Sequence, residues 1–268
     1  MPVSIQSNTR IGHILTRKPS LAAMTMRVKI SIVVPAFNEE KLIERSLQSI
    51  RDASSIFSRV GWEHEIIVCD NNSTDRTPEL ARAKGACVVF EPINQISRAR
   101  NAGAAVAQGQ WLVFVDADSF PSAELFAEVA AQIQSGQCIG GGVTVELDQS
   151  VRWATELTRV WNSLSRWRPW MAGSFIFCEA RAFRELGGFS RELFVAEDID
   201  FSKRLNQLSK MRRQQVIILH SHPLKTSARK IHLYSLREHL QFLLRSFLGL
   251  GKTFKNRKAC TAWYDGRR

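Results

Sequence analysis

Trp111-Leu112-Val113-Phe114-Val115 runs directly into Asp116-Ala117-Asp118. Five consecutive large apolar residues read as a strand buried on both faces, which belongs near the centre of a helix-covered sheet. Two carboxylates one residue apart at its exit repel each other and are partly desolvated. That repulsion is worth on the order of 1–4 kcal/mol in a wet to semi-wet site. A divalent cation relieves it, and hard ions such as Mg2+ or Mn2+ take carboxylates and diphosphate oxygens together. The competing reading is a solvated loop.

Outward from this stretch, strand and helix patterns alternate, the mark of an α/β chain with a mostly parallel sheet and helices on both faces. Residues 29–35, 65–69, 86–90, 174–178 and 216–219 read as further strands. Helices are expected over 39–53 with Asn38 as cap, from Thr77-Pro78 onward with Thr77 as cap, and over 96–108 with Gly109 setting the end. Others are expected over 121–134, 180–186, 199–208 and 231–250. Residues 151–171 are aromatic and partly helical. Trp153, Leu157, Trp161 and Leu164 have the spacing of a core-facing helix stripe, while tryptophan faces also stack on sugars and lipids.

The chain has 268 residues, 44% of them apolar, enough for one large domain. We divide it into a basic leader (1–26), a catalytic domain (27–230) and an amphipathic basic extension (231–268). Five scattered cysteines without a CxxC pair argue for a reducing compartment. Residues 1–29 lack the apolar core of a secretory signal, and 240–250 is too short for a membrane span and contains Arg245. A cytoplasmic protein is expected. Its net charge of +12 is uneven: +5 over residues 1–29, +14 over 202–268, and −7 for the remainder. A basic tail on an acidic body suggests an anionic surface. Leu233, Leu236, Leu240, Leu243, Phe247 and Leu250 form one stripe among basic residues, the pattern of a helix lying peripherally on a cytosolic membrane face or packing on its own domain. Nucleic acid is not expected, because the basic residues lack an aromatic-basic binding motif.

Three more polar clusters follow strands or open a helix: Pro35-Ala36-Phe37-Asn38-Glu39-Glu40, Asp70-Asn71-Asn72-Ser73-Thr74-Asp75, and Glu197-Asp198-Ile199-Asp200 beyond Gly187-Gly188-Phe189. Ligands of open α/β sheets bind at the carboxyl ends of strands. Taken singly, these clusters also read as turns, caps and dipole-stabilising acids.

In this order and spacing, and with Arg100-Asn101-Ala102-Gly103 between them, they resemble the family-2 glycosyltransferases with the A-type fold. The resemblance covers about residues 29–230, Thr226-Ser227-Ala228-Arg229 matching a basic loop that often follows. It implies an inverting, non-processive transfer of one sugar from a nucleotide-sugar to a glycan or lipid-linked acceptor. By that likeness Pro35, Asn38 and Glu39 line the nucleotide, Asp70 holds the base, and Arg100 lies near the nucleotide's polar groups. Asp118, helped by Asp116, binds Mn2+ or Mg2+ on the diphosphate, and Asp198 is the general base. Asn71 and Asn72 replace the family's Asp and Gly, so a UDP-sugar is only the default donor. His220 and His222 fall where a further metal position sometimes occurs, or on a surface loop. A nucleotidyltransferase would carry a Gly-rich phosphate loop that is missing here. A catalytically silent glycan- or membrane-binding protein on the same fold would not need Asp116, Asp118 and Asp198.

Overall fold

The computed structural model describes residues 28–149, 151–229 and 255. The leader, the helix expected over 231–250 and, apart from residue 255, the basic tail lie outside them. The elements run β1 (Lys29–Ala36), α1 (Ile43–Arg59), β2 (Glu63–Asp70), α2 (Thr77–Ala83), β3 (Cys87–Phe90), α3 (Ile96–Val106), β4 (Trp111–Val115), β5 (Ser119–Phe120), α4 (Ala123–Ser135), β6 (Cys138–Leu147), α5 (Arg152–Trp167), β7 (Phe175–Glu179), α6 (Ala180–Glu185), α7 (Glu197–Met211) and β8 (Gln215–Thr226). No helix among the described residues is long and apolar enough to cross a membrane.

The strands form one sheet in the order β3-β2-β1-β4-β7-β6-β8-β5. β3, β2, β1 and β4 are mutually parallel, the Rossmann-like half. β7 then runs antiparallel to both β4 and β6, while β8 is parallel to β6. The apolar strand β4 is central, and all five of its residues are buried. Trp111, Val113 and Val115 pack with α1 and α4 on one face; Leu112 and Phe114 pack with α6 and α7 on the other. Its double burial thus follows from helices covering both faces.

Several local expectations change. Asn38 does not cap α1. Its φ of 53° is left-handed and its side chain is drawn to the β2 loop, so α1 begins at Ile43. Thr77 lies inside α2, whose cap is Arg76; its hydroxyl instead donates to Asp75 and accepts from the Glu39 N–H. α3 stops at Val106, before Gly109, because Ala107 is extended. β6 escaped the strand reading because glycine is depleted in strands. Here Gly141 meets β8 so closely that a Cβ would stand 2.3 Å from the Ile217 carbonyl. The 151–171 region is mostly α5, and the stripe of Trp153, Leu157, Trp161 and Leu164 is not in the core: Leu157 is exposed and the other three are half-buried.

α3 seats Arg100 and Asn101 because it lies tight on β1. A Cβ on Gly103 would fall 2.4 Å from Val33 Cγ1. We predict that Gly103→Ala destabilises the fold by about 1–3 kcal/mol in chemical denaturation, overpacking outweighing the gain in helix propensity. In a Val33→Ala background the same change should be neutral or stabilising. An equal cost in both backgrounds would place the strain elsewhere.

Candidate active site

The carboxyl ends of β2, β1 and β4 lie side by side, and their loops are cross-braced. Ala36 stands opposite Asp70 in the ladder, and its carbonyl accepts from the Asn71 N–H at 2.8 Å. Pro35 is buried one residue from the end of β1. The Asn38 N–H donates to Ser73 Oγ, and Asn38 Oδ1 accepts from the Thr74 N–H. Asp70 is buried and accepts from the Ser73 N–H. The two loops therefore form one rigid rim.

Asn71 departs from the family's aspartate for a visible reason. Its amide donates to the carbonyls of Glu91 and Ile93, and its oxygen accepts from the Gln95 N–H. A carboxylate could not donate to those carbonyls. Asn72, where the family has glycine, takes a left-handed φ of 66°, a conformation asparagine tolerates.

Glu39 is buried, and both its oxygens accept from Arg229 Nη2, at 2.8 and 2.7 Å. The same nitrogen stands 4.0 Å from Asp118 Oδ2. Asp118 is only 4% exposed, and its carbonyl is bound by the Ser227 N–H. Arg229 Nε and Nη1 are buried without a hydrogen-bond acceptor. Arg229 was foreshadowed only by the basic loop at the end of the last strand, a signal too common to name one residue.

Arg100, expected near a nucleotide's polar groups, is spent on the protein's own acids and backbone. It is 1% exposed, and its guanidinium holds Glu197 Oε1 at 2.7 Å, Asp116 Oδ1 at 3.0 Å and the Gly173 carbonyl at 2.8 Å. Burial alone would lower its pKa, but Asp116, Glu197 and Asp198 outweigh this and raise it. The Gly173 N–H in turn donates to Asp198 Oδ2 at 2.8 Å. The carboxylates at the exit of β4 and at the start of α7 are thus linked through one arginine and one glycine. Burial, with Asp198 adding to it, pushes Glu197 up to about 7 despite Arg100. Burial also raises Asp198, against the pull of Arg100 and two backbone N–H groups. Asn101 clamps the Gly-Gly-Phe turn, its amide paired with both the carbonyl and the N–H of Phe189.

Among the described residues, no three His, Cys, Asp or Glu side chains group as a metal site. His222 lies on β8 and is paired with Glu128 at 3.1 Å. Asp116 and Asp118 still fit a hard cation in a smaller role. Ions of the Mg2+ type are commonly held by one or two carboxylates plus substrate phosphates, and two buried nitrogens of Arg229, Nε and Nη1, lack an acceptor beside Asp118. The buried thiols Cys69, Cys138 and Cys178 are all raised by burial and have no nucleophilic setting.

The model of the family "Glycosyl transferase family 2" matches residues 31–186. An uncharacterized glycosyltransferase of Bacillus subtilis, EpsJ, is 30% identical over 114 residues, 40% of this chain and 31% of that one. The chain spans about a third of the length of the curated relatives it matches first. Among solved structures, the mannosyltransferase PcManGT of Pyrobaculum calidifontis, in complex with GDP-Man and Mn2+, superposes with a TM-score of 0.61 at 19% identity. That match covers 89% of this chain and 74% of that one. Glucosyl-3-phosphoglycerate synthase of Mycobacterium tuberculosis, with Mn2+, UDP and its product, gives a TM-score of 0.57 at 20% identity, over 82% and 77% of the two chains. These likenesses establish the A-type fold.

The arginine network yields a stability prediction. Arg100→Met leaves Asp116 and Glu197 without their cation, and stability should fall by about 3–5 kcal/mol in urea titration. Adding Glu197→Gln should recover part of the loss. If Arg100→Met costs under about 1 kcal/mol, the network does not brace the site.

Proposed function

The chain belongs to glycosyltransferase family 2, and from that premise we propose that it transfers a single sugar from a nucleoside-diphosphate sugar to an acceptor hydroxyl, with inversion. The observation that carries this reading is the arginine-centred link between the Asp116-Ala117-Asp118 exit and Asp198. It supports a donor side and an acceptor side facing one reaction centre.

On this reading, the rim of Asn38, Glu39 and Asp70 receives the nucleoside. Arg229 turns its unspent N–H groups to the diphosphate. Asp118, with Asp116, holds the divalent cation, which when bound offsets the charge on the departing diphosphate. Asp198 accepts the proton as the acceptor oxygen bonds to the anomeric carbon and the bond from that carbon to the diphosphate breaks. A carboxylate within hydrogen-bond reach is what this step needs, and its raised pKa makes it a stronger base. A single displacement inverts the centre and needs no covalent intermediate. Asn71 is spent on backbone groups, so base choice rests on the remaining rim. Uridine stays the default, although the two structural relatives carry guanosine and uridine nucleotides.

Two substitutions and a titration test this. A nucleoside diphosphate with Mn2+ at ~100 times its dissociation constant should stabilise the wild type by about 2.7 kcal/mol. Comparing bases in that assay identifies the donor. Asp118→Ala should lose the Mn2+-dependent part of the shift, and an unchanged shift would remove the metal assignment. Asp198→Asn should keep donor binding while turnover falls roughly 10²–10⁴-fold. Only the Asp198 anion accepts the proton, so the wild-type rate should fall on the acid side at a pH above the ordinary carboxylate range. An acid limb inside that range, or an unaltered one in Asp198→Asn, assigns the base elsewhere.

A further inference from the structure

α5 packs on the sheet with its polar face. Ala154 and Ser165 are buried and Thr158 and Asn162 half-buried. Asn162 fastens the helix to β6, accepting from the Val145 N–H and donating to the Val145 carbonyl. The apolar stripe is turned about a third of a turn away from this face. Leu157 is 50%, Val160 66% and Trp167 70% exposed, and the half-buried Trp161 and Leu164 complete it. Arg152, Arg159 and Arg166 recur every seven residues and so form one exposed row along the helix. Arg168 caps the end, its guanidinium 4.3 Å over the Trp167 ring. Glu156, paired with Arg159, is the helix's one acid.

We infer that this outward face of α5 is a docking surface for an anionic lipid bilayer.

Charge selects the occupant. A second copy would set one arginine row against another. The chain's own segment 231–250 has an apolar stripe, but it carries Arg237 and Arg245 against Glu238 and offers no excess of acid. A nucleic acid answers the arginines but gives Leu157 and Val160 no apolar phase. An anionic bilayer supplies both. The surface also adjoins the reaction centre in sequence. Five residues after Arg168 comes Gly173, whose N–H holds Asp198 and whose carbonyl holds Arg100. Resting on the function proposed above, this places a lipid-linked acceptor on the Asp198 side.

The test uses the full chain and sedimentation with vesicles of phosphatidylcholine alone or mixed equally with phosphatidylglycerol. It reads binding without transfer, so it can fail while the enzymatic reading stands. The wild type should sediment with the anionic vesicles only. Val160→Ser with Trp167→Ser, and separately Arg152→Gln with Arg166→Gln, should each weaken binding roughly tenfold or more at an unchanged melting temperature. Binding that is absent, indifferent to lipid charge, or equal in the variants overturns the proposal. A lowered melting temperature in the serine variant would mean that the chain itself covers the stripe. A wild-type dimer that this variant dissociates would mean a second copy does. Capture by polyglutamate in place of vesicles, lost in the same variants, would point to an acidic protein. Each of these three results also overturns it.

Discussion

A guanidinium taken out of water organises the catalytic half of this molecule. Burying Arg100 is costly unless its charge is paired; its Nε has no partner, and its two terminal nitrogens are answered from three places in the chain. Asp116 comes from the exit of β4, Gly173 from the turn before β7, and Glu197 from the first turn of α7. β4 and β7 are antiparallel neighbours, and the Asp116 N–H donates to the Ser174 carbonyl. The sheet therefore delivers two of the three partners in register. One cation does not balance Asp116, Glu197 and Asp198. Burial, with the surplus of negative charge, raises Glu197 and Asp198.

The sheet's change of direction divides the labour. Its parallel half ends in loops braced to each other, Asn38 to Thr74 and Glu39 to Thr77. Beside its antiparallel half lie the acids Glu197 and Asp198 at the start of α7. α3 joins the halves along its length. Gln95, just before it, donates to the carbonyls of Arg191 and Leu193; Arg100 reaches Glu197; Asn101 holds Phe189. The Arg-Asn-x-Gly segment bridges the two halves, and Gly103 lets it lie on β1.

Sequence pattern reveals the parts of this design that depend on composition along the chain. β4 was legible because five apolar residues admit few other readings, and the carboxylates after it inherit their position. β6 was not, since three consecutive glycines look like a loop until a second backbone lies against them. Asn38 looked like a helix cap because asparagine serves both that role and left-handed turns, and only the neighbouring Thr74 decides between them. Arg100 shows the same limit. An arginine open to a loop rim and an arginine buried under it look alike in sequence, and the difference lies in carboxylates 16 and 97 positions away.

The stripe of α5 makes the point most sharply. Its spacing is that of a core helix, and periodicity reports only that one face is apolar, not what that face meets. Here Asn162 and the small residues Ala154 and Ser165 occupy the side next to β6, so the apolar side has to look outward. The charge follows a similar logic. Residues 30–201 carry a net −7, yet α5 holds four arginines, counting its cap, against one glutamate. A body-wide average would predict repulsion from an anionic surface. Exposed charges are screened beyond about 8 Å at physiological salt, so a surface in contact with α5 experiences the arginine row, offset by Glu156 and by Glu146 beside Arg159, and little of the acids farther away. Orientation on such a surface then follows from where the cations and the apolar stripe coincide, which among the described residues is α5.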